Sequence, residues 1–297
     1  MQAYRRDIMH KMISRIAVSC LYVVALLPLG ALYVLSDAVY FLVYYIIRYR
    51  RRLVRTNLRN SFPDKSEADI RQIERKFYLH LCDCIFETLK LLHVSDKEMQ
   101  KRVTTINAGL VEKIAATGKP IILYIAHHGN WEWVQEVTLH YRNPRINVAI
   151  YKRIDNPIAS KAVGMMRSRY DSMIIPQEKT LRTLLQLKQQ GEPFLTGFIA
   201  DQRPPHFHQK CWTTFLHQRT PILTGGEDIG RRIGAHFLYL DVDKTARGHY
   251  TMEFKEIPHD ASVKDYPYTV GYFRMLEQSI RRRPELWLWS HNRWKNA

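Results

Sequence analysis

The chain has 297 residues, of which 46% are hydrophobic and 25% charged, so it carries enough apolar material for a buried core and is not a disordered chain. Its formal net charge of +17 indicates an acidic partner, such as nucleic acid, anionic lipid or a phosphorylated substrate. The four cysteines show neither a zinc-ligand spacing nor a redox pair, which favours a reducing compartment, and no metal site is predicted.

The most apolar part of the chain is residues 16–47, in which Asp37 is the only charge. Residues 16–36 alone are uncharged and long enough to cross a hydrocarbon core of ~30 Å. Pro28 and Gly30 interrupt the run, so a kinked span and a helix lying in the membrane plane both fit. A cleaved signal peptide fits less well, because the run is longer than an h-region and no small-residue cleavage site follows it. The sequence predicts a membrane anchor with basic flanks over residues 1–50.

Basic residues flank this anchor on both sides. Residues 1–60 hold ten Lys and Arg against two Asp, a net charge of +8. The arginines that come after residue 47 are placed to contact the headgroups of an anionic membrane, with an ordinary solvated basic face as the alternative. They favour a cytoplasmic location for the domain after the anchor, but the basic residues before the apolar run argue the same for the other end. A single span and a re-entrant anchor therefore both stay open.

The rest of the chain alternates between helical and strand-like patterns. Residues 66–92 predict a long amphipathic helix with Ser66 as its N-cap. Strand-like runs and helical patterns then succeed one another, which predicts an α/β domain over residues 51–297, with a mixed, mostly parallel sheet flanked by helices. The predicted strands are 120–126, 146–151, 193–200, 236–242 and 249–257, the last two as a hairpin, and the predicted helices are 156–170, 179–190, 224–233 and 266–283.

The stretch "AHHGNWEW" at 126–133 lies where the first of these strands turns into a helix that Asn130 can cap. Reactive side chains collect at the carboxyl ends of strands in such sheets. His127 and Glu132 can meet only if the histidine belongs to the turn and the glutamate to the first helical turn. A histidine oriented by a carboxylate is a general base at neutral pH. Each residue taken alone also has a structural interpretation. His127 can be a turn histidine hydrogen-bonded within the fold, and Glu132 can be a carboxylate that the helix dipole stabilises.

Other chemistries lack their signatures. The sequence has no Gly-x-Ser-x-Gly elbow, no Gly-rich phosphate loop and no nucleic-acid-binding motif, so neither a covalent acyl-enzyme nor a nucleic-acid partner is expected. A dyad that deprotonates a substrate hydroxyl directly is the simplest interpretation, with backbone N–H groups near residues 129–131 as donors to an oxyanion. Near the C-terminus, "LWLWSHNRWK" fits either a membrane-interface belt or a buried segment with Trp287 and Trp289 in the core.

"HHGNWEW" resembles the His-x4-Asp/Glu motif of glycerolipid acyltransferases. Its Gly-Asn-Trp-Glu form resembles the lipid A late acyltransferase family, the bacterial lauroyl and myristoyl transferases of endotoxin assembly. The likeness covers nearly the whole chain and continues in order through "RTNLRNSFPDKS" at 55–66, "YKRIDNP" at 151–157 with "RSRY" at 167–170, "ADQRP" at 200–204, "FLHQRTP" at 215–221 and "PELWLWSHNRWK" at 284–295.

The resemblance implies a glycerolipid acyltransferase-like fold and an anchored enzyme at the bacterial inner membrane, with its catalytic domain on the cytoplasmic face. Such an enzyme moves a fatty acyl chain from acyl carrier protein to a hydroxyl of a lipid A precursor, without a cofactor. Alternatives are the same chemistry on a lysophospholipid, an acylated amino acid or a mannosylated lipid, and a non-enzymatic basic membrane or nucleic-acid-binding protein.

The resemblance also implies roles for individual residues. His127 is the general base and Glu132 the carboxylate that orients it. The second-block arginine of the family maps to Arg167 or Arg169, and the third-block aspartate maps to Asp201. The residues expected to contact substrate are Arg153, Arg167, Arg169, Asp201 and Asn130.

Overall fold

The computed structural model describes residues 18–151, 164, 170, 172–205 and 209–295. Its centre is a seven-stranded sheet in the order β1-β9-β8-β2-β5-β3-β4, accompanied by a two-stranded sheet of β6 and β7. The strands are β1 (Val103–Ile106), β2 (Ile121–Ile125), β3 (Ile146–Tyr151), β4 (Met173–Pro176), β5 (Phe194–Ile199), β6 (Cys211–Phe215), β7 (Gln218–Ile222), β8 (His236–Ala246) and β9 (His249–Glu256).

Helices cover both faces of the large sheet. Besides the α-helices, the described residues form a π-helix (Leu42–Ile47) and three 3-10 helices (Trp133–His140, Gln177–Lys179 and Pro284–Leu286), and residues 18–26 are also helical. The α-helices are α1 (Leu29–Phe41), α2 (Arg51–Ser61), α3 (Glu67–Lys90), α4 (Asp96–Arg102), α5 (Ala108–Ala115), α6 (Thr180–Gln189), α7 (Gly225–Ile233) and α8 (Pro267–Arg282).

The predicted fold class is confirmed. All neighbouring strands of the large sheet are parallel except β8 and β9, which form the predicted antiparallel hairpin. The long helix begins with Ser66 as its N-cap in a capping box with Asp69. The sequence patterns missed β1, β4 and the β6–β7 pair, and the predicted helix at 156–170 lies outside the described residues. Strands of four or five residues are too short to show a periodicity, and β1, β6 and β7, unlike β2, are not continuous apolar runs that would mark them by composition.

The strand β2 explains why the core has two halves. All five of its residues are buried, and its side chains alternate between two hydrophobic clusters, one on each face of the sheet. Ile122 and Tyr124 pack on one face, and Tyr124 stacks on Tyr272 of α8 with ring centroids 4.8 Å apart. Ile121 and Leu123 pack on the other. A strand buried on both faces reads as one continuous apolar run, which is why the sequence revealed it clearly.

The N-terminal segment is helical over residues 18–26, breaks next to Pro28 and continues as α1 and the π-helix. Residues Leu29–Ile47 form one helix long and apolar enough to cross a membrane, with a mean hydropathy of 1.6 and only 17% of that window buried. It is a candidate membrane anchor. The break is stabilised from within the domain, because Lys90 Nζ donates 2.8 Å hydrogen bonds to the carbonyls of Ala25 and Leu27.

One side of α1 packs against α3. Ser36 is buried and donates a 2.9 Å hydrogen bond to Asp83. Asp83 also accepts from Arg247 at 2.6 Å and from Lys244 at 3.3 Å, and Arg247 pairs with Asp37 of α1 at 2.6 Å. Polar contacts thus join the candidate anchor to the rest of the chain. The division into domains at residue 50 remains a prediction.

We expect Asp83→Ala to destabilise the protein by about 2 kcal/mol, because a buried carboxylate that accepts from three partners is lost. The loss is not larger because the Arg247 side chain is 38% exposed and water can solvate it in the variant. The matched control is Asp37→Ala, since Asp37 binds the same guanidinium but is 53% exposed and should cost less than about 1 kcal/mol. Thermal unfolding of both purified variants measures this. Equal shifts in Tm would contradict the central role of Asp83.

Candidate active site

The turn after β2 is held in place by the C-terminal segment. Leu288 N–H donates to the carbonyl of His127 at 3.0 Å, and Gly129 N–H donates to the carbonyl of Leu286 at 3.0 Å. His128 and Trp287 form an antiparallel bridge between these bonds. The segment 286–288 therefore behaves as a short extra strand that fixes the backbone of the histidine turn.

Gly129 is the residue that allows this turn. Its φ of +66° lies in the left-handed region, and a Cβ added there would lie 2.5 Å from Cγ1 of Val242. Both the backbone conformation and the space therefore require glycine at this position.

A buried carboxylate holds the imidazole of His127. Asp201 follows β5, the neighbour of β2, and is 2% exposed. Its Oδ1 accepts from Nδ1 of His127 at 2.7 Å, and its Oδ2 accepts from the backbone N–H of His127 at 3.1 Å and from Nε1 of Trp287 at 2.8 Å. Because it accepts from the ring and the backbone of His127 and is itself held by Trp287, Asp201 fixes both the tautomer and the orientation of the imidazole.

The electrostatics favour an ionised aspartate and a basic histidine. Burial lowers the pKa of His127, but the charge and hydrogen bond of Asp201, with a smaller contribution from Glu132, outweigh it and raise the pKa above its usual value. Burial raises the pKa of Asp201, but the charge of His127 and the donated hydrogen bonds outweigh it and lower that pKa.

The second ring nitrogen of His127 faces Gln202 and remains accessible. Because Nδ1–H is directed to Asp201, Nε2 carries the lone pair and accepts a 3.2 Å hydrogen bond from Nε2 of Gln202. The edge of the ring meets Trp131, with centroids 5.2 Å apart. The side chain of His127 is 17% exposed, so a substrate hydroxyl can replace the amide at Nε2.

Glu132 is close enough for its charge to raise the pKa of His127, and it lines the cavity beside the turn. The carboxylate bonded to Nδ1, however, belongs to Asp201. Two carboxylates thus act on one imidazole, Asp201 through a hydrogen bond and Glu132 through its charge.

Asn130 is buried and has partners at both ends of its amide. Its Oδ1 accepts from Trp133 N–H at 3.2 Å and closes the turn before the 3-10 helix. The prediction that Asn130 caps a helix from Trp131 is wrong, because the N-cap position of the 3-10 helix is Glu132. Its Nδ2 donates to Glu87 at 2.7 Å. Glu87 is fully buried in α3 and also accepts from Tyr250 at 2.7 Å and Tyr33 at 2.9 Å. Asn130 therefore fastens the turn to α3.

An apolar cavity of about 570 Å³ opens beside these residues, at the carboxyl ends of β2, β3 and β5. Trp131, Glu132 and Gln202 line it, and two of these, Trp131 and Gln202, contact the ring of His127. The aliphatic and aromatic side chains that line the rest include Ile125, Val134, Val137, Tyr141, Ile150, Phe198 and Ile229. The size is typical of a pocket for a small molecule or part of a lipid.

The other residues singled out by sequence fall in different places. Arg153, Arg167 and Arg169 lie outside the described residues. Trp287 and Trp289 are 3% and 0% exposed, so the C-terminal tryptophans belong to the core and not to an interface belt.

Two further groups near the turn have structural partners. The N–H of Gly129 is bonded to Leu286, which leaves those of Asn130 and Trp131 as the candidate oxyanion donors in this turn. His128 is buried, with its ring nitrogens 3.0 and 3.3 Å from the carbonyls of Val242 and Arg283, and so has a structural role.

Sequence reasoning missed three residues that shape the site, namely Gln202, Trp287 as a donor, and Glu87. Gln202 stands next to Asp201 in the "ADQRP" block, and that adjacency was the available signal. Nothing local marks Trp287 or Glu87, because their roles depend on contacts with Asp201 and Asn130, which are 86 and 43 residues away along the chain.

A mostly parallel α/β sheet, with a carboxylate-held histidine beside an apolar cavity, defines a protein equipped for acid–base chemistry on a partly apolar substrate. The model of the bacterial lipid A biosynthesis acyltransferase family matches residues 3–296, and the chain belongs to that family. The resemblance inferred from the sequence is thereby confirmed, and with it a reaction of the acyltransferase class in lipid A biosynthesis. No curated protein matches the chain.

We expect Gly129→Ala to cost about 3 kcal/mol and to abolish activity, because the new Cβ needs both a strained backbone and the space of Val242. The control is Gly118→Ala, where φ is +74° but nothing lies within 4 Å of the added Cβ. That variant should lose only about 1–2 kcal/mol and stay active. Thermal unfolding and turnover separate the two effects, and a fully active Gly129→Ala protein would contradict the description of the turn.

Proposed function

We propose that the protein is a membrane-anchored acyltransferase that moves a fatty acyl chain from acyl carrier protein to a hydroxyl of a lipid A precursor. It works at the bacterial inner membrane with its catalytic residues on the cytoplasmic face. The observation that carries the proposal is the contact of 2.7 Å between His127 and buried Asp201, which leaves the other ring nitrogen against Gln202, a residue that lines the apolar cavity. Family membership supplies the class of reaction.

In the proposed mechanism, Nε2 of His127 takes the proton of the acceptor hydroxyl while the oxygen attacks the thioester carbonyl. The carbon–sulfur bond of the tetrahedral intermediate then breaks, and the proton passes from His127 to the departing thiolate. Asp201 keeps the ring aimed, and the charges of Asp201 and Glu132 stabilise the imidazolium that forms between the two steps. In this proposal Asp201, and not the predicted Glu132, is the carboxylate that orients His127, and Glu132 contributes through its charge.

Gln202 leaves Nε2 when the hydroxyl binds, because both cannot occupy the same lone pair. Its amide then becomes a donor for the developing oxyanion, together with the N–H groups of Asn130 and Trp131. The apolar cavity receives the acyl chain, since its lining offers hydrocarbon a contact surface free of water.

The charge of the chain suits the proposed donor and acceptor. A net charge of +17 attracts an acidic carrier protein and a phosphorylated lipid to the protein. The same charge attracts the protein to an anionic membrane. In this proposal Arg153, Arg167 and Arg169 contact phosphate groups, for which guanidinium geometry is suited.

The test is acyl transfer by the purified full-length protein in detergent. Donors are acyl carrier protein and coenzyme A thioesters, and acceptors are a lipid A precursor, a lysophospholipid, an acylated amino acid and a mannosylated lipid, with products identified by mass spectrometry. We expect the highest kcat/KM with carrier-bound acyl chains and the lipid A precursor. Preference for another acceptor would keep the chemistry and replace the substrate, and no transfer to any acceptor would overturn the proposal.

His127→Ala should lower kcat by about 10²–10⁴, because the general base is removed while the fold is retained. The matched control is His236→Ala at the start of β8, where the imidazole is exposed and pairs with Glu256. That change should leave turnover near the original value. Turnover with saturating substrates and a melting curve for each variant decide the matter, and a well-folded, fully active His127→Ala protein would refute the mechanism.

The pH profile distinguishes the two carboxylates. The base must be neutral to act, so activity should rise with pH through the pKa of His127, which Asp201 and Glu132 raise. Asp201→Asn should move this acidic limb to lower pH and reduce the plateau, because the ring loses both its anion and its fixed tautomer. Glu132→Gln should move the limb in the same direction by less. Measurement of kcat from pH 5 to 9 checks both shifts, and an unmoved limb in Asp201→Asn would exclude His127 as the titrating group.

A further inference from the structure

A concave surface lined by arginines lies directly after the apolar N-terminal segment. We call it the arginine cleft, and it encloses about 730 Å³. It is formed by Arg48, Arg50, Arg51, Arg52, Arg55, Thr56 and Arg59.

Half of the guanidinium groups in the cleft have carboxylate partners. Arg51 and Arg55 share the buried Glu74, each at 2.8 Å, and Arg59 pairs with Glu67 at 2.6 Å. The other three, Arg48, Arg50 and Arg52, are exposed, and no carboxylate pairs with them within the part of the chain that the structure describes. Six cations thus face two anions, and the cleft keeps a strong positive charge.

The backbone around these three residues departs from ordinary preferences. Arg48 and Arg50 have φ values of 55° and 50°, in the left-handed region that most side chains avoid. Arg50 is the N-cap of α2, and the first turn of that helix has no acidic residue. Cations at the positive end of a helix dipole destabilise the helix, whereas a bound anion there stabilises it. Left-handed backbone conformations and cations at a helix N-terminus are both unfavourable, and such local strain collects at binding sites.

The neighbouring surface indicates what kind of anion fits. The π-helix that leads into the cleft exposes Leu42, Ile46 and Ile47, which are 44%, 63% and 58% exposed. Phe41 and Tyr45 are exposed beside them. An apolar surface that ends at a cluster of arginines matches a molecule with hydrocarbon at one end and a phosphate at the other.

We propose that the arginine cleft binds the phosphate of one anionic phospholipid of the bilayer, with its acyl chains along the exposed face of the π-helix. Arg48 Nε and Arg50 Nη1 donate to the carbonyls of Tyr45 and Ser290, which leaves their other N–H groups for a ligand. A guanidinium group can donate two parallel hydrogen bonds to phosphate oxygens, so the three arginines without a carboxylate partner and the hydroxyl of Thr56 provide donors for a single headgroup. The cleft shares no lining residue with the cavity beside the histidine turn, and the proposal does not depend on acyl transfer.

The experiment is native mass spectrometry of the full-length protein in detergent, titrated with phosphatidylglycerol or with phosphatidylcholine. The variant combines Arg48→Gln, Arg50→Gln and Arg52→Gln, which removes three charges without unpairing a carboxylate and keeps amide donors. The control combines Lys113→Gln, Lys119→Gln and Lys188→Gln, three exposed cations in the segments that lead into β2 and β5. A melting curve verifies folding, and Arg52→Gln alone is the fallback if the triple variant unfolds.

We expect the unaltered protein and the lysine control to retain one phosphatidylglycerol and little phosphatidylcholine. Each basic side chain near a membrane surface contributes about a factor of five in affinity, so the arginine variant should bind roughly a hundredfold more weakly, and Arg52→Gln about fivefold. Undiminished binding by the arginine variant, or an equal loss in the lysine control, would overturn the proposal. The proposal would also fail if the unaltered protein retained a phosphorylated lipid A precursor and no phospholipid. It would fail likewise if the arginine variant lost binding of the carrier protein while it still bound phospholipid.

Discussion

The hydrogen bonds of the Asp201 carboxylate determine the arrangement of the site. A buried carboxylate must have its oxygens satisfied, and three groups from distant parts of the chain do so here, namely the ring and backbone of His127 and the indole of Trp287. Arg293 adds to this environment. It is fully buried, and burial lowers its pKa to about 10 although the charge of Asp201 acts in the opposite direction. Through its three hydrogen bonds, Asp201 joins β2, β5 and the C-terminal segment around the imidazole of His127.

A second buried carboxylate, that of Glu87, supports the same turn from α3. Burial raises its pKa, although Lys244 and hydrogen bonds from Tyr250 and Asn130 act to lower it. The turn is therefore held between two acidic groups with different tasks. Asp201 orients the reactive ring, and Glu87 fixes the side chain of Asn130. Glycine at position 129 lets the backbone pass between Val242 and these contacts without a side chain in the way.

Much of the fold was readable from sequence because β2 and β5 are nearly continuous apolar runs, whereas β8 and β9 are long strands joined by a short turn. The contact between His127 and Asp201 was not readable from periodicity, since it depends on β5 being the neighbour of β2 in the sheet. Only the family resemblance pointed to Asp201. Spacing along the chain pointed to Glu132 instead, because proximity in sequence says nothing of which carboxylate meets Nδ1. Hydropathy likewise found the apolar helix but not that Ser36 faces Asp83.

The apolar N-terminal helix also supports the candidate active site, through the hydroxyl of Tyr33. Tyr33 lies on α1 and donates to Oε1 of Glu87, whose Oε2 accepts from Asn130. A water-soluble fragment made by cutting away this helix would leave that oxygen without its donor, deep inside the protein. Kinetic constants measured on such a fragment would describe a loosened turn, and inhibitors selected against it would be fitted to a cavity whose wall, between Trp131 and Val137, had lost part of its support.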